Sequence, residues 1–172
     1  MELAKRLSDE KEEITRQWID KLMESYPAES VKILMRNKNQ FANPLPHAIS
    51  TSLRLLFDEI LKGIDLETVR PILDEVVRIR AVQDFIPSNA LSFVFALKNI
   101  LRDHLKEDLK DEKRLNELRV IEGSIDQVAL LAFDIYVTCR ERLFEIRANE
   151  IKNQTHMLIR RVNEMDKQKE AR

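Results

Sequence analysis

Near the C-terminus, apolar and small residues fall in a 4,3,4,3 alternation: Phe144, Ala148, Ile151, Thr155, Leu158, Val162 and Met165. Such a seam, flanked by Arg, Glu, Lys and Asn, is the heptad signature of a helix that pairs with another helix. Two apolar positions in seven make a stripe too narrow for the inner face of a globular domain. The simplest partner is the same helix of a second copy, giving a parallel homodimer; the other reading is an overlong solvated helix lying back on its own domain. Run as one helix, residues 124 to 168 would span ~68 Å at 1.5 Å per residue, so the end is expected to project. The chain thus divides into a helical domain over residues 1–141 and a coiled-coil helix over 142–172.

Only two glycines stand in 172 residues, and a strand-rich chain needs more turn glycines and more β-branched alternation than this one has. The expected fold is therefore all-α, with a core that a chain of this length can bury. With 29 basic and 30 acidic residues the net charge is −1, which is no footprint for nucleic acid or an anionic membrane. Cys139 is alone, so no intrachain disulfide framework exists, and a reducing compartment suits it. The opening MELAKRLSDEKEE has no apolar signal core, and no run reaches the length of a membrane span. A cytoplasmic protein is expected.

Taken in order, residues 3 to 26 read as one helix with Leu3, Leu7, Ile14, Trp18, Leu22 and Tyr26 inward, stopped by Pro27. A short helical segment around Ala28 to Met35 and a connector carrying Phe41 follow. Asn43 and Pro44 form a helix start, Asn as cap and Pro where no N–H is needed. That helix buries Leu45, Ile49, Leu53, Leu56, Phe57 and Ile60 and stops at Gly63. Asp65 can cap the next helix, but Pro71 would remove an internal hydrogen bond, so a start near Arg70 is the alternative. A helix from Ser88 to about Lys106 turns Ala90, Phe93, Val94, Leu97, Ile100, Leu101 and Leu105 inward, with Phe95 off that face. After a charged turn, periodicity runs from Leu115 almost to the terminus, with a bend expected at Gly123.

The polar departure from this pattern lies at residues 78–98. On a helical wheel Ile72, Leu73, Val76 and Val77 fall within roughly 80° of Val69, and one turn further Arg80, Gln83 and Asp84 occupy the same sector. A buried, unpaired guanidinium or carboxylate is costly. Arg80 and Asp84, at i and i+4, therefore either pair at a partly exposed helix end or serve a ligand. In the second case Arg80, Asp84, Ser88, Asn89 and Phe93 form an anion or small-ligand site, the free backbone N–H groups near Ser88 and Asn89 assisting.

No catalytic pattern accompanies it. His47, His104 and His156 lie on separate segments without metal-ligand spacing, so no zinc or di-iron site and no cofactor is expected. His104 reads as a satisfied histidine near a helix C-terminus. There is no Gly-rich phosphate loop, nucleophile triad or carboxylate pair, and the acidic residues read as solvated faces. Cys139 reads as a packing residue.

The block RIRAVQDFIPSNALSFVFALK, with QWIDKLMESYP, FANP and DIYVTCRERLFEIRANEI, resembles the RsbRD N-terminal domain family, the sensor domain of RsbT co-antagonist proteins in bacterial stressosomes. The resemblance covers most of the chain, roughly residues 5 to 155. It implies a globin-like helical bundle without haem, dimeric, non-enzymatic, whose final helix carries a signal to an output domain. In such proteins that domain is a STAS domain with phosphorylated threonines; this chain reaches Arg172 without one. The expectation is a stand-alone sensor that signals to an unidentified downstream protein. The alternatives are a structural dimeric adapter, or an accessory protein in anaerobic sulfur or energy metabolism, binding through its C-terminal helix. A haem-binding gas sensor is the remaining reading.

Overall fold

A computed structural model describes residues 2–26, 44–83 and 85–170, with side chains at all of these but 44, 45, 162, 164 and 166–170. Six α-helices and one 3₁₀ turn make up the described residues, which contain no strand; the expected all-α class is what the chain adopts. They are α1 (Glu2–Asp9), α2 (Lys11–Met23), α3 (Pro44–Lys62), α4 (Leu66–Val82), α5 (Pro87–His104), the turn Asp108–Lys110, and α6 (Glu112–Glu170). The chain forms two compact units, Met1–Tyr136 and Val137–Arg172.

In the first unit α2 packs on α3 and α5, α4 on α3 and α5, and α1 on α2 and α3. Trp18, Phe57 and Phe93 fill the middle, surrounded by Leu7, Ile14, Leu22, Leu53, Leu56, Leu73 and Leu97. The α6 segment up to Tyr136 adds Leu118, Ile121, Ile125, Val128, Ala132 and Ile135 to this core. Two ion pairs align it with α5. Arg102 grips Glu122 through Nε at 2.6 Å and Nη2 at 2.8 Å, and Lys98 meets Asp126 at 2.6 Å.

Four local expectations are corrected. The single helix over 3–26 is two, broken at Glu10, whose φ −96 and ψ 9 leave the helical region. Between Leu7 and Ile14 no side chain is buried, so packing does not hold that turn straight. The fourth helix starts at Leu66, not near Arg70: the Asp65 carboxylate accepts from Glu67 N at 3.3 Å and from Thr68 Oγ1 at 2.6 Å. With that cap made, and Val69 and Leu73 buried on either side of it, Pro71 is carried inside the helix despite its missing N–H. No break occurs at Gly123, which lies within α6; buried Ile121, Glu122 and Ile125 fix the backbone around it. Lastly, Asp108 and Glu122 are buried, not solvated. Asp108 is held by Arg6 and Arg114 together, which offsets the cost of removing a carboxylate from water.

Along α3 and α5 the apolar pattern holds. Ile49, Leu53, Leu56, Phe57 and Ile60 are buried, α3 starts at Pro44, and Gly63 follows it at φ 96, the left-handed conformation that ends helices. Phe95 is half exposed, off the inner face of α5. The expectations for Pro27, the segment 28–35, Phe41, the Asn43 cap and Asp84 lie outside the described residues.

Candidate ligand site at Arg80

The inner face of α4 is Val69, Leu73, Val76 and Val77, and Arg80 follows one turn later on the same side, so the fold carries its guanidinium inward. It is 0% exposed, which corrects the idea of a partly exposed helix end there. Nε donates to the Ala90 carbonyl at 2.8 Å, and Nη2 donates to the Asn89 carbonyl at 2.7 Å and to Ser25 Oγ at 2.8 Å. Ser25 in turn donates to the Leu22 carbonyl at 2.6 Å. One side chain thus ties α4 to the turn after α2 and to the first turn of α5.

Aromatic rings surround it. Cζ lies 4.5 Å from the Phe85 ring centroid, 5.2 Å from that of Tyr26 and 5.9 Å from that of Phe93. The negative faces of such rings attract a desolvated guanidinium. Tyr26 meets Phe85 edge-on, centroids 5.1 Å apart. Trp18 lies against Phe93, whose carbonyl accepts from the indole N–H at 2.7 Å, and the Phe85 carbonyl accepts from the Tyr136 hydroxyl.

Two buried polar atoms in this cluster have no hydrogen-bond partner among the described residues: Nη1 of Arg80 and the hydroxyl of Tyr26. Burial pulls the guanidinium below its ordinary pKa, opposed by the neighbouring phenol. Burial likewise pushes the Tyr26 phenol up, opposed by the Arg80 charge. Arginine keeps its proton across the accessible pH range, so the cluster holds a fixed positive charge.

Of the residues that the sequence singled out, Arg80, Asn89 and Phe93 meet here. Asn89 contributes its carbonyl, while its side chain and that of Ser88 are exposed; Gln83 is exposed as well, and Asp84 lies outside the described residues. Sequence reasoning did not connect Tyr26, Ser25, Phe85 or Tyr136 to Arg80. The available signal was an aromatic residue directly after the polar end of the α4 stripe.

The three histidines lie apart from this cluster and from one another. His104 Nδ1 lies 3.0 Å from Glu10 Oε2 and Nε2 lies 3.3 Å from Gln17 Oε1, while His47 and His156 are exposed on other helices. Among the described residues no three His, Cys, Asp or Glu side chains converge as a metal site would require, and no helix is long and apolar enough to cross a membrane.

Comparison with known proteins agrees with the resemblance. Residues 12–151 match the family described as RsbT co-antagonist protein rsbRD N-terminal domain. An uncharacterised protein of Archaeoglobus fulgidus is 27% identical over 142 residues, covering 82% of this chain and 84% of that protein. No solved structure matches. The family match takes in the α4–α5 junction with its buried arginine and most of the rest of the fold, and the chain belongs to the RsbT co-antagonist protein rsbRD N-terminal domain family.

Proposed function

We propose that this chain is a non-enzymatic signalling module of the stressosome sensor type: a globin-like, haem-free helical unit, dimeric through its C-terminal helix. The Arg80 cluster receives the stimulus, and the helix passes a change of register or angle to a downstream protein. The observation that carries this reading is the unit Val137–Arg172, a helix whose seam residues Phe144, Ile151, Leu158 and Met165 are 58% to 74% exposed. Large apolar side chains repeating every seven residues match a partner with the same repeat.

Charge favours a parallel second copy. In the seam's heptad, Arg140, Arg147 and Arg161 precede the positions of Glu141, Ala148 and Val162. A parallel pair sets Arg140 against Glu145 and Arg161 against Asp166 of the other copy, leaving one like-charged pairing, Arg147 with Lys152. An antiparallel pair sets arginine positions against one another. Thr155 suits the seam, because its hydroxyl donates to the Ile151 carbonyl of its own helix at 2.9 Å.

Light scattering on the dilute full chain tests the proposal. The expected mass is twice the 20.3 kDa of one chain, falling to a single copy in Leu158→Glu, whose side chain is exposed and whose replacement leaves the first unit folded. A single-copy mass for the wild-type chain overturns it.

A further inference from the structure

Apolar side chains lie open on the face of the α5–α6 pair that turns away from the core. Arg102 with Glu122 and Lys98 with Asp126 run the two helices antiparallel, the pairs one turn apart on each. Carried on by a further turn, that register sets Phe95 level with Ala129 and Leu130, and Phe133 follows next along α6. Leu130 is 70% exposed, and Phe133 and Phe95 are each 50% exposed. The same face thus passes from ion pairs at one end to large apolar groups at the other.

The spacing of residues along α6 names the occupant. Leu130, Val137, Phe144, Ile151, Leu158 and Met165 stand seven residues apart without a break, so the row that pairs the tail with a second copy begins inside the first unit. A repeat of seven keeps one side of a helix in register with its mate. The alternate positions of the tail seam are weak: Ala148 is small and Thr155 polar, which leaves Val162. Further back those positions hold Asp134 and Glu141, whose charges repel across a parallel pair. The close pairing of α6 with its mate therefore gives way there, and the contact moves to the flank that bears Phe133 and Phe95.

We propose that this face docks on the same face of a second copy of the chain, with Leu130, Phe133 and Phe95 of one copy meeting those of the other in a four-helix contact made by α5 and α6 of both. This rests on the reading of the tail as a parallel dimer, and it extends that dimer into the first unit. A two-fold axis makes such a contact self-complementary, and the Arg102–Glu122 and Lys98–Asp126 pairs form its polar rim. The carbonyls of Asn89 and Ala90, at the start of α5, hold Arg80. The input cluster and the contact between copies therefore share one helix.

Sedimentation equilibrium of the full chain, which gives the dissociation constant of the two-copy species, tests this. Leu130→Glu weakens the dimer by at least about tenfold, with the helical circular dichroism unchanged because the side chain is exposed. Leu55→Glu, at a half-exposed leucine on α3, leaves the constant as it was. Benzoylphenylalanine in place of Phe133 gives a two-copy product on irradiation, with the adduct on α5 or α6 of the second chain, a readout that needs no loss of affinity. An equal loss in Leu55→Glu, or an adduct confined to its own chain, overturns the proposal. A two-copy wild-type mass with the constant unchanged in Leu130→Glu also overturns it and leaves the paired tails standing alone. A two-copy mass that survives Leu158→Glu and is lost in Leu130→Glu does the reverse, and a wild-type chain of single-copy mass overturns both.

Discussion

The indole N–H of Trp18 donates to the main-chain carbonyl of Phe93 at 2.7 Å, joining residues 75 apart in the sequence at the centre of the α2–α5 contact. Trp18 is fully buried and its ring lies 6.3 Å from that of Phe93. Trp18→Phe keeps an aromatic ring and loses the donor and some volume. It is expected to lower stability by about 1–3 kcal/mol, measured by urea unfolding followed by circular dichroism.

Gly123 lies in the interior of α6, and a methyl group built there meets nothing within 4 Å. Helix interiors favour Ala over Gly by about 1 kcal/mol. Gly123→Ala should therefore raise the unfolding midpoint without altering helix content, as read by calorimetry and circular dichroism.

Asp108 anchors α1 by accepting from Arg6 and sits against Arg114 on α6. Both arginines are over a third exposed, so solvent screens part of the interaction. Asp108→Asn is expected to cost about 1–3 kcal/mol, and hydrogen exchange should accelerate first in residues 2–9, where only Leu3 and Leu7 are otherwise buried.

The Asp65 carboxylate is held below the usual carboxylate range, first by the Thr68 hydroxyl and then by the Glu67 N–H. A carboxylate depressed in the folded state contributes stability above its unfolded pKa, and that contribution disappears as pH falls through the folded value. Thr68→Val should move the Asp65 titration upward in a carbon-detected NMR experiment. It should also weaken the α4 start at neutral pH, but not in acid below both pKa values.

Apolar spacing made much of the fold legible. Ile49, Leu53, Leu56, Phe57 and Ile60 repeat at helical intervals and are buried together, and Asp65 announced its helix because capping is a local property. Gly123 and Pro71 misled for a shared reason: the helix-propensity cost is about 1 kcal/mol for Gly and about 3 kcal/mol for Pro, and buried neighbours such as Ile121, Ile125, Val69 and Leu73 override it. The break at Glu10 was hidden because a polar run can be helical or bent with the same composition. At the candidate site Arg80 stood out by interrupting an apolar stripe. Its neighbours Tyr26 and Phe85 did not, because their meeting depends on how α2 docks against the α4–α5 junction, which no local pattern encodes. Asp108 went unnoticed in a charged turn for the same reason.

Tyr136 is the last residue of the first unit, and its hydroxyl is bonded to the Phe85 carbonyl. Phe85 is also the ring nearest the Arg80 guanidinium. A single residue therefore touches the buried cation with its ring and, through its carbonyl, holds the hydroxyl of Tyr136 in the interior of α6. Anything that lifts that ring must turn its own carbonyl as well, so a displacement at the arginine is felt at the Tyr136 hydroxyl.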